Sequence, residues 1–142
     1  MTLPKYKLLP HTSDVLFEAH GRTLEEALEN AAFAMFEALA DTKKLGEERH
    51  YDVDERSHRL EDLVSITLGD LLSLSDAENV FFKRLHVAEV KCSERECRVK
   101  GTAYGETRTR AKGRTDVKAV TFHETRAHKT PDGWVVRVLL DI

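Results

Sequence analysis

The sequence predicts an α+β domain, with two helices packed on a mostly antiparallel β-sheet. Three observations lead there. Two stretches carry apolar residues at helical spacing, 24–40 and the run opening at Leu60. From residue 80 onward the signal is almost entirely strand. The later links are short and hairpin-like, which favours an antiparallel sheet over alternating crossovers.

The elements follow in order. Residues 3–22 read as extended, with Val15, Phe17 and Ala19 alternating with Leu16, Glu18 and His20. Thr23-Leu24-Glu25-Glu26 is a capping box: the threonine oxygen accepts from an early helix N–H and Glu26 reaches back. Leu24, Ala27, Leu28, Ala31, Met35 and Leu39 then make one apolar stripe, which Phe36 widens. The acids at its start suit the helix dipole. Residues 48–56 are a candidate edge strand. A second stripe carries Leu60, Leu63, Val64, Leu68, Leu71 and Leu72, with Gly69 weakening it by up to about 1 kcal/mol relative to alanine. Strands are expected at 80–90, 98–106, 115–123 and 134–142, with a hairpin turn at Asp132-Gly133 before the last.

The bulk numbers set the class. A chain of 142 residues is one domain, spanning 1–142, with no repeat or linker. With 41% hydrophobic and 33% charged residues it is globular rather than disordered. A net charge of −3 argues against a dedicated nucleic-acid binder. No apolar run is long enough for a membrane span, and the first residues lack a signal-peptide core. With only Cys92 and Cys97, a reducing cytoplasm is the expected setting. These two fit opposite sides of a four-residue hairpin loop, where they read as packing residues with incidental oxidation.

Several residues carry candidate chemistry. Trp134, Val136, Val138, Leu140 and Ile142 line one face of the last strand, so the apolar pattern runs to the final residue. Most chains fray there. An ordered end holds the terminal carboxylate beside Asp141, and two adjacent carboxylates call for a cation or a basic group. Hard cations take oxygen ligands from such clusters, although an acidic, solvated strand end is the plainer alternative. His11-Thr12-Ser13-Asp14 places a histidine and a carboxylate three residues apart at the mouth of a strand, where an Asx-type turn is the better explanation from these residues alone. The seven histidines show no zinc-enzyme spacing. Arg108, Arg110, Lys112, Arg114 and Lys118 form a basic stretch that suits phosphates or simply a solvated face, and no aromatic residue is interleaved to stack on bases. Lys118 stands apart because a strand position between Val117 and Ala119 gives it a defined direction. His123-Glu124 invites an acid–base reading, but no nucleophile motif accompanies it.

Taken together, these segments resemble the archease family. His11-Thr12-Ser13-Asp14-Val15 is similar to its N-terminal HTADV motif, with Ser13 in place of alanine. Thr23 to Ala27 with Ala34-Met35-Phe36 matches its first helix, Asp41-Thr42 the segment after it, and Leu60 to Leu63 the start of its second. Ala103-Tyr104-Gly105-Glu106, then Val117 to His123, then the terminal Asp141-Ile142 follow in the family's order. Three positions of the second helix depart from it: Thr67 and Ser73 stand where aromatics are usual, and Gly69 where a polar or acidic residue is. The loop at 107–114 is shorter and more basic than is typical.

The resemblance implies a function. Archeases are non-catalytic protein cofactors of the RtcB-type RNA ligase, which joins exons in tRNA splicing. They promote guanylylation of the ligase, allow multiple turnover and broaden its nucleotide use. The family's divalent ion, Ca²⁺ first with Mg²⁺ or Mn²⁺ as alternatives, falls on Asp14, Asp141 and the Ile142 carboxylate. Its functional lysine falls on Lys118, with His11 as support. The expected partner is the ligase, with RNA contact indirect, no membrane and a cytoplasmic location. The alternative is a chaperone or specificity modulator of a tRNA-modifying enzyme such as a methyltransferase.

Overall fold

The computed structural model describes residues 3–11 and 13–142. Thr12 of the N-terminal motif therefore lies outside the described residues, as do the first two residues. The strands divide into two antiparallel sheets rather than one. The first contains β1 (Tyr6–Leu9), β2 (Val15–Gly21) and β8 (Gly133–Asp141), with two short strands sharing the far edge of β8: β6 (Ala119–Val120) and β7 (Arg126–Thr130). The second is β3 (Arg49–Ser57), β5 (Cys97–Thr107) and β4 (Val80–Cys92), in that order. β3 is thus an edge strand, as its weak alternation suggests.

Helix α1 (Leu24–Leu39) begins where the capping box places it. Thr23 Oγ1 accepts from the Glu26 N–H at 3.1 Å, but Glu26 reaches one residue further back, to the Arg22 N–H at 3.3 Å. The helix packs on β2 and β8 of one sheet and on β4 of the other. Helix α2 (Leu60–Ala77) lies mainly on β3 and β4 and reaches β6. One core runs through all of these. Phe17, Val136, Val138 and Leu140 come from the first sheet, Met35 and Phe36 from α1, Leu63 and Leu68 from α2, and Phe82, Val99 and Ala103 from the second sheet. The helices fuse the sheets because each must bury a wide apolar stripe.

Two expectations about the C-terminal half are corrected. The strand expected at 115–123 is paired only at Ala119 and Val120. Before it, the Arg114 and Thr115 N–H groups donate to Leu39 and Ala38 carbonyls, so the chain is fastened to the end of α1 rather than to a strand. After it, residues 121–125 turn outward. The buried Thr125 hydroxyl donates to the Thr121 carbonyl at 3.1 Å and meets Ser65 Oγ of α2 at 2.9 Å. The strand that pairs across the hairpin is instead β7, whose sequence Arg-Ala-His-Lys-Thr is too polar to show alternation. The turn also moves by one residue. Thr130 pairs with Gly133, leaving Pro131-Asp132 as the two-residue loop. Gly133 has φ +138, and a Cβ there would stand 2.2 Å from the Gly21 carbonyl oxygen, so only glycine fits.

Cys92 and Cys97 face each other across the β4–β5 hairpin and form a disulfide. The hairpin register alone brings their Cα atoms to 4.0 Å, so pairing replaces the reading of two separate packing residues.

Candidate functional site

The last strand, β8, lies between β2 and β6, and its end gathers the chemistry. Val15 of β2 pairs with Leu140, so one step further along each chain brings Asp14 abreast of Asp141. On the other side Ala119 pairs with Asp141, and the Lys118 N–H donates to the Asp141 carbonyl at 2.7 Å. Asp14, Asp141, Ile142 and Lys118, far apart in sequence, therefore meet at one corner of the sheet. Lys118 is exposed and immediately precedes β6 rather than lying inside a strand. Its backbone bond still fixes where its side chain begins.

The core beneath holds this corner rigid. Phe17, Val138 and Leu140 are fully buried directly behind it. The apolar alternation of β8 continues outward to Ile142, which is 37% exposed. Phe122, on the turn that follows β6, is 59% exposed. Two large apolar side chains thus sit on segments flanking the acidic corner.

His11 joins the same corner. Its Nδ1 stands 3.9 Å from Asp14 Oδ2, and its Nε2 stands 3.3 Å from Glu124 Oε2. Glu124 has φ 65, a left-handed conformation that the outward turn imposes and that a non-glycine residue adopts at some cost. Its Oε2 is buried and has no hydrogen-bond partner among the described residues, the approach of His11 being close enough for an ion pair but not aligned as a hydrogen bond. Glu124 enters a sequence reading only as the neighbour of His123. Its place beside His11 depends on the turn at 121–125, for which no local signal exists.

The donor set can be compared with the demands of a hard cation. Carboxylates from Asp14, Asp141 and the Ile142 terminus are the oxygen ligands that Ca²⁺, Mg²⁺ or Mn²⁺ takes, and an orphaned carboxylate oxygen stands close by on Glu124. No three His, Cys, Asp or Glu side chains among the described residues are gathered closely enough to hold an ion by themselves. Soft-metal chemistry does not fit, since both cysteines are bonded to each other at the opposite tip of the second sheet.

Fold and corner together define a class: a small α+β domain in which Asp14 and Asp141 stand abreast at one sheet corner flanked by exposed apolar side chains. Comparison with known proteins makes the class specific. The profile of the "Archease protein family (MTH1598/TM1083)" matches residues 6–142. Protein archease of Methanosarcina acetivorans is 39% identical over 140 residues, covering 97% of this chain and 96% of the relative. That of Aeropyrum pernix is 34% identical over 134 residues, covering 93% of each. The solution structure of protein 1598 of Methanobacterium thermoautotrophicum superposes with a TM-score of 0.82 at 31% identity, covering 97% of this chain and 99% of that one. A Thermotoga maritima archease, described as a possible chaperone, superposes at 0.59 with 22% identity over 100% of this chain and 98% of its own, which bears on the fold alone. The chain belongs to the archease family. Among the described residues no helix is long and apolar enough to cross a membrane.

Proposed function

We propose that this protein is a non-catalytic cofactor of an RtcB-type RNA ligase in the cytoplasm, promoting its guanylylation and multiple turnover and broadening its nucleotide use. The observation that carries the reading is the convergence of Asp14, Asp141, Ile142 and Lys118 on one sheet corner in an archease. Asp14, Asp141 and the Ile142 carboxylate would hold the divalent ion, Ca²⁺ first and Mg²⁺ or Mn²⁺ next. Such an ion neutralises charge on a nucleotide phosphate and orients it.

The chain's own residues supply the rest. Phe122 and Ile142 offer exposed apolar surface for docking beside the carboxylates. Lys118 brings a positive charge to the same edge, where it can meet a phosphate oxygen. His11 bridges Asp14 and Glu124 and so positions the Asp14 carboxylate. In this reading the covalent nucleotide is carried by the ligase and not by this protein.

The test is ligase–GMP formation and turnover with wild-type protein and with Asp14→Asn, Asp141→Asn and Lys118→Ala. Stimulation should fall about tenfold or more in each carboxylate variant. Calorimetric titration with Ca²⁺ should show binding by wild type and its loss in Asp141→Asn. Wild-type protein that leaves ligase–GMP formation unchanged while co-purifying with a tRNA methyltransferase would favour the modulator alternative.

A further inference from the structure

The basic stretch is concentrated in charge. Residues 107–118 carry five basic side chains and one acidic, a net of +4, so the remainder of the chain carries −7 against an overall −3. The structure folds this stretch into one wall of a cleft of about 500 Å³, lined by Leu39, Phe81, Arg108, Arg110, Arg114 and Asp116 among others. Arg108, Arg110 and Arg114 line it against Asp116, so guanidinium groups outnumber carboxylates among the lining side chains.

The cleft is built rather than loose. The Asp41 N–H donates to the Lys112 carbonyl, Arg114 N–H to Leu39 and Arg108 N–H to Asn79, all at 2.9 Å. Lys112 is committed to Glu106, whose carboxylate also accepts from the Gly46 N–H at 2.6 Å; these two contacts hold it below the usual carboxylate range. What faces the cleft is therefore arginine. Arg108 is fixed by Asp76 and Ser75, and Arg114 is tied to Glu37 and Asp41. Arg110 is exposed and has no ion-pair partner among the described residues. The Arg108 guanidinium lies over the Phe81 ring, 4.9 Å from its centroid. Planar guanidinium groups bind phosphate through two parallel N–H bonds and stack on bases, which lysine does not do. Phe81 itself is buried under this guanidinium, so its ring holds Arg108 in place, and any stacking face at the cleft is the guanidinium's own.

We infer that this cleft binds the phosphodiester backbone of a single-stranded nucleic acid, with Arg110 as its principal free phosphate contact. The site goes beyond the ligase reading and gives it a direction. From Arg114 the chain passes through only three residues to Lys118, at most about 14 Å of extended backbone, and Lys118 is bonded to Asp141. A strand seated in the cleft therefore leads toward the acidic corner.

The experiment measures fluorescence anisotropy of a labelled oligouridylate, and of the matching oligothymidylate, with the purified chain alone. No ligase is present, so failure here is distinct from failure of the ligase reading. Arg110→Glu should weaken binding about tenfold and reduce the salt slope by about 1. Lys91→Glu, on the remote hairpin, should change affinity by no more than about twofold, within what exposed charges exert through screened solvent. Unchanged melting temperatures show that both variants fold. Equal loss in the two variants overturns the inference by making the attraction non-specific. No binding by wild type at low salt also overturns it. Displacement by an oligoglutamate as effective as by oligouridylate overturns it in favour of an acidic protein segment.

Discussion

Glu55 is a carboxyl out of place. It points from β3 toward α2 and shares a hydrogen bond with Asp70, beside a cavity of about 130 Å³. Burial first, then the bond to Asp70, push its pKa up to about 8. The fully buried Thr67 hydroxyl lines the same cavity without a hydrogen-bond partner among the described residues. The folded protein therefore keeps a proton on Glu55 up to about pH 8, while the unfolded chain releases it near 4.5. Between those values the folded state binds more protons, so this contribution is full below about pH 4.5 and is lost as pH rises through 8. Glu55→Gln is neutral throughout. Wild type should lose stability relative to Glu55→Gln between pH 5 and pH 9, read as urea midpoints; parallel curves would remove the shared proton. The acidic corner shows what a residue-level reading can reach. Asp141 and the terminal carboxylate were legible because strand alternation runs to the end of the chain. That Asp14 stands beside them was not, since that pairing spans nearly the whole sequence and rests on register. The family resemblance supplied it, while Glu124 was legible only as one half of His123-Glu124 and not as a neighbour of His11.

Elements were legible where their signal is local. Helix α1 starts and stops where its cap and stripe place it, because capping and amphipathicity are decided within a few residues. β7 was invisible and β6 overextended for the opposite reason: hydrogen bonds to Ser65 and to the end of α1, not local propensity, decide where the chain turns. Two glycines separate local from tertiary effects. Gly69 lies within α2 with nothing within 4 Å of an added Cβ, so Gly69→Ala should stabilise by about 0.5–1 kcal/mol through helix propensity. Gly133→Ala meets both a φ of +138 and the Gly21 carbonyl, and should destabilise by several times that amount. Chemical denaturation of the pair is the measurement, and equal shifts would show that backbone contact at the β7–β8 turn is not what holds it.

At the scale of the whole molecule, β8 serves two purposes along one strand. Its inward face is the floor of the core, with Val136, Val138 and Leu140 fully buried, and its end is the acidic corner. The two should separate experimentally. Leu140→Ala leaves a cavity where both sheets and the helices share one core and should cost about 2–5 kcal/mol. Protein that remains folded at low temperature should still stimulate the ligase, because the register that places Asp14 and Lys118 is made by backbone bonds. Deleting residues 141–142 takes away the Ala119–Asp141 pair and the carbonyl that accepts from Lys118, but no fully buried side chain. That should cost only about 1 kcal/mol and yet abolish ligase–GMP stimulation and Ca²⁺ binding. Melting temperature should therefore fall mainly in Leu140→Ala, and guanylylation should fall only in the shortened chain. A shortened chain that still stimulates would move the functional surface away from this corner, and a Leu140→Ala protein that folds but does not stimulate would show that the corner depends on core packing as well as on register.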